Sequence, residues 1–206
     1  KIIWRKRTER EYAMKVIGIT GGVGAGKTQV LSYIEEHYSC RVLRADEAAH
    51  LLEQPGQACY EQLVKLLGKD ILQGEQIDKQ KMAAVIFQDK EILAKINAVI
   101  HPAVKHYILE QIAYERERGA VDYFFIEAAL LIEDRYDLIV DELWYVHSDI
   151  EVRRRRLAKG RQYSAEKIEA IMQGQLSEME FRRHCNVVIS NNGDLEETYR
   201  QIRELI

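Results

Sequence analysis

Gly21-Gly22-Val23-Gly24-Ala25-Gly26-Lys27-Thr28 has the spacing G-x-x-x-x-G-K-S/T, and each part has a chemical reason. Glycines let the backbone turn successive N–H groups inward around an anion, in conformations that a Cβ resists. A helix that starts at the end of the run directs its positive dipole end at the same anion. Lys27 can reach the outer phosphates of ATP, and Thr28 can offer its hydroxyl to Mg²⁺. Gly22, Val23, Gly24, Ala25, Gly26, Lys27, Thr28 and Gln29 are therefore the candidate ATP contacts. Glycine-rich turns match such a pattern by chance. Here it lies between an apolar run, Lys15 to Thr20, and a helical pattern, Gly26 to Tyr38, which is the strand–loop–helix context the chemistry requires.

A phosphate loop specifies a nucleotide and leaves the reaction open. Asp46 ends the strand-like run RVLRAD. Ligands of open α/β sheets sit outside the carboxyl ends of the strands, so a carboxylate there can take the proton of an acceptor hydroxyl during phosphoryl transfer. Position alone equally allows a helix N-cap, because a helical pattern begins at the next residue. Arg153 to Arg156 are consecutive arginines, followed by Lys159 and Arg161. They form either a solvated helix face or a lid that neutralises developing charge. Helical neighbours point about 100° apart, so the four cannot all face one phosphate. Asn191-Asn192-Gly193 reads as a turn after the last strand, at the sheet edge where nucleotides lie.

Bulk properties bound the class. The chain has 206 residues, 47% hydrophobic and 31% charged, with net charge −3. This is the balance of a soluble globular domain with a sizeable core. The mild acidity argues against a nucleic-acid binder. No apolar run reaches the roughly 20 residues needed to cross a bilayer. Cys40, Cys59 and Cys185 are scattered and show no C-x-x-C spacing, so a reducing, cytoplasmic setting is expected and a zinc site is not. The histidines show no ligand spacing either, and His37, His50, His106, His147 and His184 are read as structural or exposed. Lys1 to Ala13 is charged and precedes Met14, and we read it as an upstream extension or an artificial leader. Trp4 has no assignable role, and Trp144 is expected to pack in or near the fourth strand.

Strands are expected at Lys15 to Thr20, Arg41 to Ala45, Val121 to Ile126, Glu142 to Val146 and Val187 to Ile189. Helices are expected at Gly26 to Tyr38, Glu47 to Glu53, Ser148 to Lys159, Ser164 to Arg183 and from Asp194 onward. Ser148 with Glu151 has the spacing of a capping box. From Gln57 to Arg118 the pattern is almost wholly helical, broken at Gly68, Gly74 and His101-Pro102. The alternation implies an α/β fold: a five-stranded, mostly parallel sheet with helices on both faces, carrying a helical insertion at 48–118.

Taken together, these residues resemble the dephospho-CoA kinase family. Gly18 to Thr28 is similar to its opening, G-L-T-G-G-I-G-S-G-K-S. Ala45-Asp46 with Ala49-His50 matches D-A-D-x-x-A followed by arginine or histidine, and Gln54-Pro55-Gly56 matches E-P-G. Gly74 to Phe87, Ile100-His101-Pro102 and Leu130-Leu131-Ile132-Glu133 resemble further motifs in the family's order. Arg156 to Gln175 follows the lid, and Val188 to Gly193 follows V-I-x-N-x-G. The resemblance runs from about Met14 to the end. It implies a P-loop kinase domain at 14–206, with a core at 14–47, 119–147 and 184–206, an acceptor-binding insertion at 48–118 and a lid at 148–183. The implied reaction is phosphorylation of the ribose 3′-hydroxyl of dephospho-CoA by ATP with Mg²⁺, the last step of CoA synthesis.

By the same resemblance Asp46 is the base, and Lys27 and Arg156 act on the transferred phosphoryl group. The other arginines of the run are then solvent-exposed. Asp46, His101 and Leu130 meet the acceptor, Asn191 lies by the adenine, and Thr28 holds Mg²⁺. A monomer is expected, with neither nucleic acid nor membrane as partner. Some positions depart from the family. Arg44 replaces the first aspartate of D-A-D, Glu127-Ala128-Ala129 replaces D-x-P, and Lys79 replaces an arginine. Gly160 stands where the family has a second lid arginine, and Lys159 or Arg161 is left to substitute. Two rivals share the loop. Another nucleoside or nucleotide kinase would fit Asp46 as well, and a non-catalytic nucleotide-binding regulator would need only the loop. A base-reading N-K-x-D of GTPase type is missing.

Overall fold

A computed structural model describes residues 14–161 and 163–206. Lys1 to Ala13, with Trp4, lies outside the described residues. The chain forms two compact units, 14–42 with 115–206, and 43–114.

The first unit is built around the apolar run next to the glycine loop. Lys15–Thr20 forms β1, and every residue after Lys15 in it is buried. Burial of both alternating faces is the mark of a central parallel strand. The five-stranded sheet has the order β2-β5-β1-β6-β7, with β2 at Cys40–Arg44, β5 at Tyr123–Glu127, β6 at Glu142–His147 and β7 at Val187–Ser190. β1 runs parallel to β5, Ile17 opposite Phe125, and parallel to β6, Ile19 opposite Trp144; β6 runs parallel to β7.

The helices α1 (Lys27–His37) and α9 (Leu195–Leu205) contribute Val30, Leu31, Ile34 and Ile202 to a core shared with Ile17, Ile19, Phe125, Trp144, Val146 and Ile189. Trp144 is fully buried, edge-on to Phe125 with ring centroids 5.8 Å apart. Its Nε1 donates to Glu142 Oε2 at 2.8 Å, so the one polar atom of a large apolar side chain is satisfied. A Cβ at Gly18 would lie 2.7 Å from Leu143 Cδ2 and 3.2 Å from Leu131 Cδ1, so these side chains would have to shift to admit one.

The second unit carries α2 (Ala45–Leu52), α3 (Tyr60–Leu67) and α4 (Lys79–Gln88), and much of α5 (Lys90–Arg118). Two expectations are corrected here. The region is not free of strands: Leu72–Gln73 (β3) and Gln76–Ile77 (β4) pair as a short antiparallel hairpin, with Gly74 at φ 65° in its turn. Glycine takes that left-handed backbone with least strain. Nor do His101 and Pro102 break the chain, because α5 runs on through Pro102. A proline removes one backbone donor from a helix, and the 29 residues of α5 carry that loss.

The lid segment also differs from expectation. After α6 (Ile150–Arg161) the expected long helix is two, α7 (Ala165–Gln173) and α8 (Glu178–His184). Ser177 starts α8 with a capping box: its hydroxyl accepts from Glu180 N, and Glu180 Oε2 accepts from Ser177 N. The Ser148–Glu151 pair forms no such box. Ser148 is buried and its hydroxyl is used elsewhere.

Candidate active site

Gly26, at φ 94°, is the N-cap of α1, and Gly24 lies at φ 83°. These left-handed residues wrap the loop so that it presents its amides, as the sequence requires. Lys27 Nζ donates to Gly21 O at 2.8 Å, spanning the loop mouth to base. Gly21 lies tight against β6, where a Cβ would come within 2.5 Å of Val146 O. Thr28 and Gln29 are exposed in the first turn of α1. The side chain of Gln29 is held by Tyr199, Nε2 donating to the phenol oxygen at 2.7 Å.

The loop is braced from residues far along the chain. Asn191 is fully buried; its Nδ2 donates to Ala25 O at 2.8 Å and its Oδ1 accepts from Thr198 Oγ1 at 3.0 Å. Ser148 Oγ lies 3.1 Å from Ala25 O and 2.6 Å from Asn191 O. Arg156 NH1 donates to Ser148 Oγ at 3.0 Å and Ala25 O at 3.3 Å, and its NH2 donates to Asn191 O at 2.9 Å. The side chain of Asn191, a residue expected beside the adenine, is turned to the loop backbone. Adding a Cβ to Gly26 would place it on that carboxamide.

The arginine run divides by geometry. Residues three apart share a helix face, and Arg153 and Arg156 both face the loop. Arg154 instead pairs with Glu151 and, at 2.8 Å, with Glu169. Arg155 and Lys159 are exposed. The expectation that every arginine but Arg156 is solvated is corrected for Arg153. Its Nε donates to Val23 O at 3.0 Å, and its guanidinium covers Gly22, where a Cβ would collide with it.

Gln175, between α7 and α8, completes this contact: its Oε1 accepts from Val23 N at 3.3 Å and from Arg153 NH2. Burial lowers the pKa of both Arg153 and Arg156, with Arg155 adding to the effect on Arg156. Among the described residues no carboxylate pairs with either. Half-buried cations that bond only neutral oxygens suit an arriving anion. The i, i+3 spacing of Arg153 and Arg156 was the available signal for Arg153. Gln175 had only the neighbouring helix-breaking Gly174.

A magnesium ion carried by a nucleotide keeps waters and phosphate oxygens and needs few protein ligands. Thr28 fits that need. Among the described residues no group of three or more His, Cys, Asp or Glu forms a cage of its own.

In the second unit, Asp46 is exposed in the first turn of α2. The capping position belongs to Arg44 and no side chain caps the helix, so the N-cap alternative for Asp46 is set aside. Its carboxylate makes no hydrogen bond or ion pair among the described residues. His101 is partly buried within α5. Asp78 caps α4, accepting from Gln80 N at 2.8 Å. Leu130, in the first unit after β5, is 38% exposed, whereas its neighbour Leu131 is buried.

With this geometry in place, the comparisons decide the family. The family model described as dephospho-CoA kinase matches residues 15–197. The chain belongs to the dephospho-CoA kinase family. It is 34% identical over 194 residues to the dephospho-CoA kinase of Geobacillus kaustophilus, covering 92% of this chain and 94% of that one. It is 35% identical over 193 residues to that of Aquifex aeolicus, covering 93% and 96%. The crystal structure of TT1252 from Thermus thermophilus superposes with TM-score 0.77 at 28% identity, over 93% of this chain and 95% of that one. Dephospho-CoA kinase from Campylobacter jejuni, at 19% identity and TM-score 0.68 over 92% and 96%, shares the fold. The family and the fold are thus those that the loop, Asp46 and the ordered motifs implied.

Proposed function

We propose that this protein transfers the terminal phosphoryl group of ATP to the ribose 3′-hydroxyl of dephospho-CoA, yielding CoA and ADP. The observation that carries this is the braced loop of a dephospho-CoA kinase family member, with Lys27 across it and two arginines bonded to its carbonyls. Loop amides and Lys27 hold the phosphates in line. The acceptor oxygen forms a bond to the γ-phosphorus while the bond to the β–γ bridging oxygen breaks and ADP leaves. Asp46 accepts the proton of the hydroxyl, a role its exposed and unbonded carboxylate leaves open. Arg156 stabilises charge on the transferred group. His101 and Leu130 contribute to acceptor binding, and Asn191 to the nucleotide site by fixing the loop.

Thr28 is the protein ligand for Mg²⁺, which when bound neutralises the phosphate oxygens. We read the working unit as a single chain in a reducing cytoplasm, where its free cysteines stay reduced.

The test is an ADP-release assay with MgATP and a panel of acceptors. Turnover with dephospho-CoA, and none with nucleosides or nucleoside monophosphates, is the expected result. Turnover with a nucleoside instead would replace the acceptor, and tight ATP binding without any turnover would favour a regulator.

A further inference from the structure

We propose that Arg153 and the Val23 amide form a site for an oxygen of the terminal phosphate of ATP, and that Gln175 Oε1 holds this place until the phosphate takes it. The proposal rests on the reading of the loop as the seat of a nucleoside triphosphate. Gln175 Oε1 bridges two donors, a loop N–H at 3.3 Å and a guanidinium NH2. An amide N–H beside a cationic fork is the donor pair that phosphate oxygens take in backbone nests and arginine clamps.

Three further observations support a ligand role over plain bracing. Arg153 is half-buried, yet among the described residues no carboxylate pairs with it, unlike Arg154, Arg182, Arg200 and Arg203 on the same unit. Its NH1 donates to no group among the described residues, so a guanidinium donor remains for the same anion. Gly22 leaves room for the guanidinium to lie flat on the loop, since a Cβ would strike it. A neutral carboxamide is also the right kind of placeholder. It satisfies both donors but binds a cation more weakly than a phosphate oxygen does, so exchange favours ATP. Gln175 sits in the short link between α7 and α8, where displacement need disturb neither helix.

Binding of MgATP and MgADP to the purified full-length protein, measured by calorimetry without acceptor, tests this. Arg153→Ala should weaken ATP binding about 10- to 100-fold, as for a lost charge-assisted bond, and weaken ADP binding far less. Arg153→Lys keeps the charge without the fork and should fall between, and it carries the test if Arg153→Ala does not fold. Gln175→Ala should leave ATP affinity equal or a few-fold tighter, because a competitor is removed. Gln175→Glu should weaken it by pairing with Arg153. The proposal is overturned if both Arg153 variants weaken ATP and ADP equally, or leave ATP affinity unchanged. It is also overturned if Gln175→Ala weakens ATP as much as Arg153→Ala does, the mark of a structural brace. Failure of the acceptor assay would leave these binding results standing, so the two readings fail separately.

Discussion

Asn191 shows how much one side chain can hold. Fully buried, it joins the loop carbonyl of Ala25 to Thr198 on α9, and its own carbonyl accepts from Ser148 and Arg156. Asn191→Ala removes both carboxamide bonds and leaves Thr198 Oγ1 with Ser190 O at 3.2 Å, so we expect about 1–3 kcal/mol of lost stability, seen as a lower urea midpoint at unchanged slope, together with weaker ATP binding. Lys27 and Asp46 separate binding from chemistry. Asp46→Asn should keep ATP affinity yet lower turnover by about 10² or more, the scale of a lost general base, while Lys27→Ala should damage both. Turnover of Asp46→Asn within a few-fold of wild type would remove it from that role. Lys27, Asp46 and Arg156 are candidates that the sequence offers, because loop spacing and motif order mark them. Arg153 is not among them, since burial and partners decide its role and neither is encoded locally.

Among the elements, the break between α7 and α8 matters most, because it is where Gln175 leaves the helix to meet Val23. Ser177 and Glu180 cap α8 reciprocally. Ser177→Ala should therefore cost about 1 kcal/mol, read from thermal or urea unfolding, and Ser177→Asp, which keeps an acceptor, should recover most of it. Ser177 and Glu180 have the same S-x-x-E spacing as Ser148 and Glu151, and the reading of one helix over Ser164 to Arg183 passed over it, while the spacing at Ser148 was misleading. There the hydroxyl is buried against Ala25 and Asn191, and tertiary partners win over a local cap. The β3–β4 hairpin was missed because two-residue strands are too short to show a period. Pro102 was read as a stop because proline usually ends helices, and α5 absorbs the lost bond instead.

For the molecule as a whole, burial governs the thiols. It pushes Cys185 up to about 12 and Cys40 to about 11, with Glu35 adding to Cys40, and it raises Cys59 too, with Glu53 adding. The thiolate is the reactive form, so at pH 8 all three are protonated and slow to react. A thiol reagent such as DTNB should label the native protein slowly and titrate all three cysteines in denaturant. Rapid native labelling of any of them would contradict this.

The sequence by itself determined the phosphate loop, the five strands of the sheet and the family, because each depends on spacing within a few residues or on motif order. Tertiary structure alone decided which arginines face the loop, what Ser148 and Asn191 hold, and where Gln175 points. The contacts these residues make with the loop join positions 123 to 166 residues apart. Such pairings follow from how helices pack on the sheet, and no local pattern specifies that.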